Sequence, residues 1–358
     1  MSIMFADDFN GYGQGYSGAS PGAQFLLDGL WADVRAGIVA DPDALATGNV
    51  LKLVGGAYSG ARRPFAPGAV GTAGVAIRMY MPSLPYDRVG VLGFYDGGLN
   101  VQINANITPT GAIEIWRGSS AAGSGGTLLG ATVGPVTTAN AWHHYELKVV
   151  CSATVGTAEV RIDGASVLAL TGLNTGTASQ LSLDITDRRT GTALFNSGCF
   201  FKDLVCWNGS GTQNNNFLGT VSVLGMVPNA DVNVNWTPST GSTAFNLLAN
   251  GPPLDGTQYL TAVTPPPAPM LVALSDLPIN VTSVRAMISQ IRARKADGGD
   301  GNIQASLKSA AAFVAGTDRP ITTAFTYYED VFEVDPNTAV AWTPASANAA
   351  QLRINRTI

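Results

Sequence analysis

The sequence is short of charge, cysteine and histidine, and it has no long apolar run. Asp, Glu, Lys and Arg make up 13% of its 358 residues, against ~25% in an ordinary globular domain. The 20 Lys and Arg against 25 Asp and Glu give a net charge of −5. That excludes the basic stripe of a protein built around nucleic acid. No apolar stretch reaches the ~18 residues that mark a membrane-spanning helix. The opening MSIMFADDFNGYGQGY has neither a basic n-region nor an apolar h-region, so no secretory signal peptide is expected. Three cysteines, Cys151, Cys199 and Cys206, are too few and too irregular for a disulfide framework. A Cys199–Cys206 bridge stays open beside the plainer reading of buried free thiols, and synthesis in a reducing cytoplasm is expected. The only histidines, His143 and His144, are adjacent. On a strand they point to opposite faces, one into the sandwich and one out, so they do not share a metal ion. No metal and no cofactor are expected.

What is present is glycine and alternation. Glycine accounts for 42 of 358 residues, well above the ~7% average. Hydrophobic residues are 46%, enough for a sizeable core, and the length suggests about two domains. With little charge, the surface must be covered by small uncharged residues, which suits an assembled or extracellular protein. Period-two runs recur at 71–82, 88–98, 100–109, 112–118, 143–152, 156–164 and 165–172, predicting an antiparallel meander. Asp163-Gly164 marks a tight hairpin turn that needs positive φ. Short helices are expected only at 21–30 and 344–350, the latter with Pro344 early in its turn. Many short strands at this spacing predict a sandwich or jelly roll.

The polar run NGSGTQNNN at 208–216 reads as a linker. A second β-pattern follows at 217–228, 231–239, 283–316 and 321–336. Within it, Asp297-Gly298-Gly299-Asp300-Gly301 divides two alternating runs and reads as a hairpin loop. The Pro-rich stretch 264–270 cannot pair centrally in a sheet and is expected to cross a surface or reach a neighbour. The domains are therefore 1–208, a linker at 209–216, and 217–358.

Two resemblances follow from quoted motifs. FADDFNGY (5–12), NAWHHYELKVV (140–150) and GTAEVRIDGASVLALTG (156–172) occur in order. Together they resemble the concanavalin A-like lectin or laminin G-like sandwich. FKDLVCWNGSGTQNNNFLGTVSVLGMVPNADVNVNWTPSTGS (201–242) and YYEDVFEVDPNTAVAWTPASANAAQLRI (327–354) resemble segments of tailed-bacteriophage virion structural proteins. The chain departs from that pattern at Ala339-Val340 and Leu352-Arg353. The resemblance implies an all-β chain: an N-terminal concanavalin A-like jelly-roll sandwich, then a second antiparallel β-sandwich. It also implies a non-enzymatic virion component, assembled in the host cytoplasm and released with the particle. Its partners would be other capsid or tail proteins and copies of itself, a trimer being favoured, with no membrane and no nucleic acid.

Few residues suggest chemistry. Glucanases of the lectin-like fold use two carboxylates on one strand face. Here Glu159 and Asp163 flank Arg161 without a second Glu, and Glu329, Glu333 and Asp335 lie in the second domain. No enzyme is expected. ADGGDGN (296–302) lacks the spaced acids and closing Glu of a calcium loop and reads as a turn. Arg285, Arg292, Arg294 and Lys295 read as a solvated strand face or as intersubunit salt bridges. The alternative function is host attachment through cell-surface carbohydrate bound by the first domain. The candidate residues are Trp116, Tyr95, Asp96 and Tyr58, while Trp31, Trp142 and Trp207 read as core.

Overall fold

A computed structural model describes residues 1–9, 30–35, 37–40, 42, 49–53, 60–65, 68–118, 125–184, 198–249, 258–262 and 268–358. The chain divides into two compact units, with the boundary between Val223 and Leu224. Both are antiparallel β-structures. The expected helix at 21–30 lies almost wholly outside the described residues.

In chain order the first unit contains β1 (Ile3–Asp7), β2 (Ala32–Arg35), β3 (Gly37–Ala40), β4 (Asn49–Leu53), β5 (Gly60–Pro64), β6 (Thr72–Tyr80), β7 (Val89–Tyr95) and β8 (Val101–Ile107). It continues with β9 (Ile113–Arg117), β10 (Thr127–Ala131), β11 (Trp142–Val150), β12 (Gly156–Ile162), β13 (Ala165–Leu173), β14 (Gln180–Asp184) and β15 (Cys199–Asn208). Sheet A runs β13-β12-β11-β6-β15-β4-β3, with β1 also on β15. Sheet B runs β10-β9-β8-β7-β14-β5-β2. The expected meander is therefore split: β7 to β10 form one side and β11 to β13 the other, as a sandwich requires.

Alternation explains both sheets. On β11, Tyr145, Leu147 and Val149 are at most 1% exposed and face Ile77, Val75 and Ala73 of β6 one for one. On sheet B, Ile103, Ala105 and Ile107 of β8 and Ile113 and Ile115 of β9 point into the same core. Each large side chain buried in this way contributes roughly 1.5–3 kcal/mol. The β12–β13 turn has φ +51° at Asp163 and +85° at Gly164, the pair of positive values that a type I′ hairpin needs. A buried cluster closes the N-terminus. The Asp7 carboxylate accepts from Trp31 Nε1 (2.9 Å) and from the Phe9 N–H (2.8 Å). The Arg63 guanidinium lies 3.9 Å from the Phe5 ring. Cys199 and Cys206 are buried free thiols.

The unit boundary falls beyond the 209–216 linker expected from composition, for a physical reason. Residues 217–223, expected as the first strand of the second domain, form no strand. They run as a strap over the outer face of sheet A. Glu146 Oε1 accepts the backbone N–H groups of Leu218 (2.8 Å) and Gly219 (3.2 Å). Asp203, raised by a bulge in β15, accepts the Val223 N–H at 2.8 Å. The Phe217 ring stands 3.8 Å from the Arg161 guanidinium and packs edge-on to Trp207. Beneath it Trp207 lies over Gly74, where a Cβ would come within 2.1 Å of the indole.

The second unit contains β16 (Pro228–Asn233), β17 (Thr237–Pro238), α1 (Ala244–Ala249), β18 (Leu260–Thr261), β19 (Met270–Leu274), β20 (Met287–Ala293), β21 (Asn302–Ser309) and β22 (Ala312–Ala315). β23 (Arg319–Pro320), β24 (Thr326–Phe332), α2 (Pro344–Asn348) and β25 (Gln351–Arg356) complete it. Sheet C runs β16-β19-β25-β21-β22 with β23 on β21, while β20 pairs with β24. Met287 and Phe332 of that pair pack on Leu274 and Leu307 of sheet C, with Trp342 between. The layers thus form a second sandwich. Asp297–Gly301 is consequently no hairpin loop, because the strands before and after it belong to different layers. The expected C-terminal helix is present, capped reciprocally by Thr343 and Ser346 with Pro344 in its first turn. α1 has no local cap: its first N–H groups bond to Asp231, thirteen residues upstream. Residues 264–267 of the Pro-rich stretch lie outside the described residues.

Two predictions follow from the buried polar groups. Glu146 is fully buried, and burial holds its carboxyl above the usual carboxylate range despite the two N–H donors. Glu146→Ala should lower the unfolding free energy by about 1–3 kcal/mol, the cost of two orphaned N–H groups. Glu146→Gln keeps an acceptor and should stay within about 1 kcal/mol. Urea melts and amide exchange at Leu218 and Gly219 check both; equal melts for wild type and Glu146→Ala contradict the strap account. His144 is 2% exposed, and burial, then the Arg78 charge, pull its pKa down to about 4. Below pH ~6.5 the unfolded chain takes up this proton first. Stability from His144 is therefore present above pH ~6.5 and lost as pH falls toward 4, by about 3 kcal/mol. Wild type should lose that much more than His144→Gln over this window; parallel pH profiles would refute it.

Candidate functional site

The outer face of sheet B collects polar side chains by the same alternation that fills the core. β8 reads VQINANI, so Gln102, Asn104 and Asn106 point away from the sandwich. β9 sends Glu114 and Trp116 outward, and β14 sends Ser182. Register aligns two rows. Trp116, Asn104, Gly93 and Ser182 lie opposite one another on four neighbouring strands. Glu114, Asn106 and Gly90 form the adjacent row. β7 contributes glycine to both rows, and there the floor lies low. A Cβ on Gly90 would sit 2.0 Å from Asn104 Nδ2, and one on Gly93 3.2 Å from Asn104 Oδ1.

One end of the face is an interlocked trio. Arg88 binds Glu114 through both guanidinium edges, with Nε on Oε2 and Nη2 on Oε1 (3.3 Å). Trp116 Nε1 donates to Glu114 Oε2 at 2.7 Å, and the Arg88 guanidinium lies 4.8 Å from the Trp116 ring centre. A carboxylate held on both oxygens by a guanidinium is fixed in position, and here it orients Trp116. The other end is unsatisfied. Asn106 is 0% exposed and Ser182 2%. Neither amide atom of Asn106, nor Ser182 Oγ, has a hydrogen-bond partner among the described residues. Each such group costs about 1–3 kcal/mol until something bonds it. Buried amide and hydroxyl groups of this kind bond ordered water.

The structure brings only part of the expected site together. Trp116 stands on this face, half-buried in the trio. Tyr95 has the parity of the same face, opposite Gln180, but is 4% exposed, so its ring is no open platform. Asp96 lies at the β7–β8 turn. Its Oδ1 accepts the N–H groups of Gly98 (2.9 Å) and Asn100 (2.8 Å), and its Oδ2 accepts from Gln102 Nε2 (3.0 Å). The bonds to Asn100, then that to Gly98, hold its pKa below the usual carboxylate value. Asp96 is thus a turn brace. Tyr58 lies outside the described residues. Sequence reasoning missed Arg88, Asn104, Glu114, Asn106 and Ser182. The available signal was Asn-Ala-Asn in a strand whose alternate residues are Ile: two amides two apart must share a face.

Other candidates resolve into braces. Thr138 Oγ1, His143 Nε2, His143 Nδ1 and Asp163 Oδ2 form a line with spacings of 2.9 and 2.7 Å. Asp163 Oδ1 also accepts the His144 N–H at 2.8 Å. The line clasps the exposed β12–β13 hairpin to the 138–144 segment. Of the two rings His144, on the outer face, is the more buried. Glu159 pairs with Arg161 at 2.8 Å. Glu333 and Asp335, expected in strand parity with Glu329, lie beyond the end of β24. Asp335 is 2% exposed and accepts the Asn337 N–H at 2.9 Å, holding the turn before Trp342. Arg292 and Arg294 lie 4.1 and 4.7 Å from the Phe325 ring. Among the described residues no group of three or more His, Cys, Asp or Glu is placed to hold a metal ion.

No protein-family model and no curated protein matches the chain. Solved structures with a similar fold include alginate lyase vAL-1 from Chlorella virus. It is 9% identical with a TM-score of 0.40, the match covering 50% of this chain and 91% of that one. The carbohydrate-binding module CBM66 from Bacillus subtilis is 11% identical, with a TM-score of 0.33 and coverage of 50% and 96%. Trypanosoma rangeli sialidase is 15% identical with a TM-score of 0.33, and the match spans 48% of this chain but only 27% of the sialidase. The sandwich assignment itself rests on the strand order and the packed cores described above.

The floor of the polar face is directly testable. Gly90→Ala should displace the Asn104 amide and lower the unfolding free energy by about 1–3 kcal/mol. Gly97→Ala, where a Cβ meets nothing within 4 Å, should change it by less than ~0.5 kcal/mol. Equal midpoints for the two variants in urea would show that Asn104 does not lie over β7.

Proposed function

We propose that this chain is a non-enzymatic structural protein on the surface of a bacteriophage particle, acting through protein–protein contacts. The sequence resemblance of 201–242 and 327–354 motivates the reading. The observation that carries it is what those two stretches do in the fold. The first supplies β15, the Asp203 bulge and the strap over sheet A; the second supplies the Asp335 turn, the Trp342 anchor and α2. Trp342 Nε1 donates to the Phe332 carbonyl at 2.9 Å. Conservative use of sequence for braces, rather than for a reactive cluster, supports a scaffold role. Copies of the chain assembled as a homo-oligomer, with a trimer favoured, fit the sparse surface charge, because unpaired charge is costly to bury at an interface.

A second reading is favoured by one specific observation, the row on the outer face of sheet B in which the part-exposed Trp116 and Asn104 stand opposite each other. It adds attachment to cell-surface carbohydrate through the outer face of sheet B. An amide matches sugar hydroxyls as donor and acceptor, and the half-buried indole offers an apolar edge to a sugar ring.

Antibody raised against the full chain should label purified particles in electron micrographs, and the chain should be found in the particles by mass spectrometry. Particles free of both would falsify the virion reading. On an array of neutral glycans, Trp116→Ala and Asn104→Ala should each weaken binding about tenfold, the loss of one good contact. An unchanged array profile removes sheet B as the attachment face.

A further inference from the structure

The two sheets of the first sandwich end side by side in edge strands of unusual composition. β13 is the last strand of sheet A and β10 the last of sheet B. They run close together: a Cβ on Gly130 of β10 would come within 2.7 Å of the Leu170 side chain of β13. Neither strand contains a charged residue or a proline. The surrounding runs 118–142 and 164–183 contain no Asp, Glu, Lys or Arg, in a chain where 13% of residues are charged. Exposed strand edges ordinarily carry charge or proline, which keeps other chains away. The far edge of sheet B obeys that rule: β2 has Asp33 and Arg35 among its four residues. The β13–β10 edge instead shows apolar side chains to solvent. Leu128 is 46% exposed, and Val133, just past β10, is fully exposed. Leu168, Leu170 and Leu173 are only half-buried. The charges on the adjoining strands are turned to partners within the unit. Glu159 pairs with Arg161, and Glu114 with Arg88. Arg117 donates to the Val101 and Gln102 carbonyls, and Asp163 holds His143.

We propose that copies of this chain meet at the β13–β10 edge, around a symmetry axis. The inference rests on the homo-oligomer of the proposed function and assigns its contact surface. Charge names the occupant. A different protein could offer charges opposite to those of this chain, and charge at the edge would then aid recognition. In a symmetric contact, residues near the axis face their own copies, so any charge there meets its like. An edge stripped of charge, on a chain whose net charge is −5, is what self-contact requires. How the copies dock follows from register. The β12–β13 pairing shifts between Gly156 and Ala158 and again between Val160 and Arg161, with the extra residues on β13. Such bulges break the run of edge hydrogen-bonding groups. The copies therefore pack through Leu128, Val133, Leu168 and Leu170 instead of joining sheet to sheet. Packing of that kind is open to three-fold as well as two-fold symmetry.

Light scattering of the full chain, coupled to size exclusion, tests the proposal. The wild type is expected to be an oligomer. Val133→Lys and Ala169→Lys, both at exposed positions, should each weaken association about tenfold or more, with circular dichroism spectra like that of wild type. Raised salt should restore part of the loss by screening the new like charges. Ile279→Lys, at a fully exposed position of the second unit, should leave association unchanged. A wild-type oligomer unaltered by both edge lysines overturns the proposal and leaves the homo-oligomer standing. A monomeric wild type overturns both, even where the edge then binds another particle protein. Equal loss of association in Ile279→Lys also overturns the proposal, by reducing the effect to added charge at any position.

Discussion

The first unit is organised around one buried carboxylate. Glu146 projects from the outer face of sheet A, where a strand residue ordinarily meets water, yet it is fully buried. An unpaired carboxylate in that position is costly. Two backbone N–H groups from the strap offset part of that cost, and in doing so they fix where the strap lies. Phe217 then reaches Arg161 and Trp207, Leu218 is buried, and the indole of Trp207 requires glycine at position 74. The same contact sets the unit boundary, since the chain is not released from the first sandwich until Val223.

The strap divides the labour of the two outer faces. On sheet A it covers the end that contains Glu146 and Trp207 and stops short of the packed rings of Trp142, Tyr80 and Phe200. On sheet B the polar residues of β8, β9 and β14 remain as a face of their own. Glu114, Arg88 and Trp116 are locked together, whereas the Asn106 amide and the Ser182 hydroxyl have no side-chain hydrogen-bond partner among the described residues. The second unit shows only bracing of this kind among its described residues. Arg319 grips Asp330 through both guanidinium nitrogens at 2.8 Å, and Asp231 caps α1 from a distant strand.

Period-two alternation made β6 to β9 and β11 to β13 legible, together with the Asp163-Gly164 turn and the capped C-terminal helix, because each depends on neighbours in sequence. What escaped was set by distant contacts. The run at 217–223 alternates like a strand, but its N–H groups bond to carboxylates rather than to a neighbouring strand. Asp297–Gly301 has the composition of a hairpin loop, yet β20 and β21 enter different layers. Trp116 was legible as a candidate because a tryptophan in a strand beside a turn is conspicuous. Asn106 and Ser182 were not, since an amide and a hydroxyl become notable only when burial leaves them unbonded. Tyr95 illustrates the reverse: an aromatic at a loop edge looked exposed and is buried.

The attachment reading holds that the polar outer face of sheet B receives a saccharide. The most direct measurement is nuclear magnetic resonance of the full chain titrated with the glycan that it binds best on an array. The account predicts that the Trp116 indole N–H and the Asn104 side-chain amide shift in concert and saturate together. Resonances of the strap at Leu218 and Gly219 should stay in place. Saturable shifts confined to other residues, with the Trp116 and Asn104 signals unmoved, would contradict it.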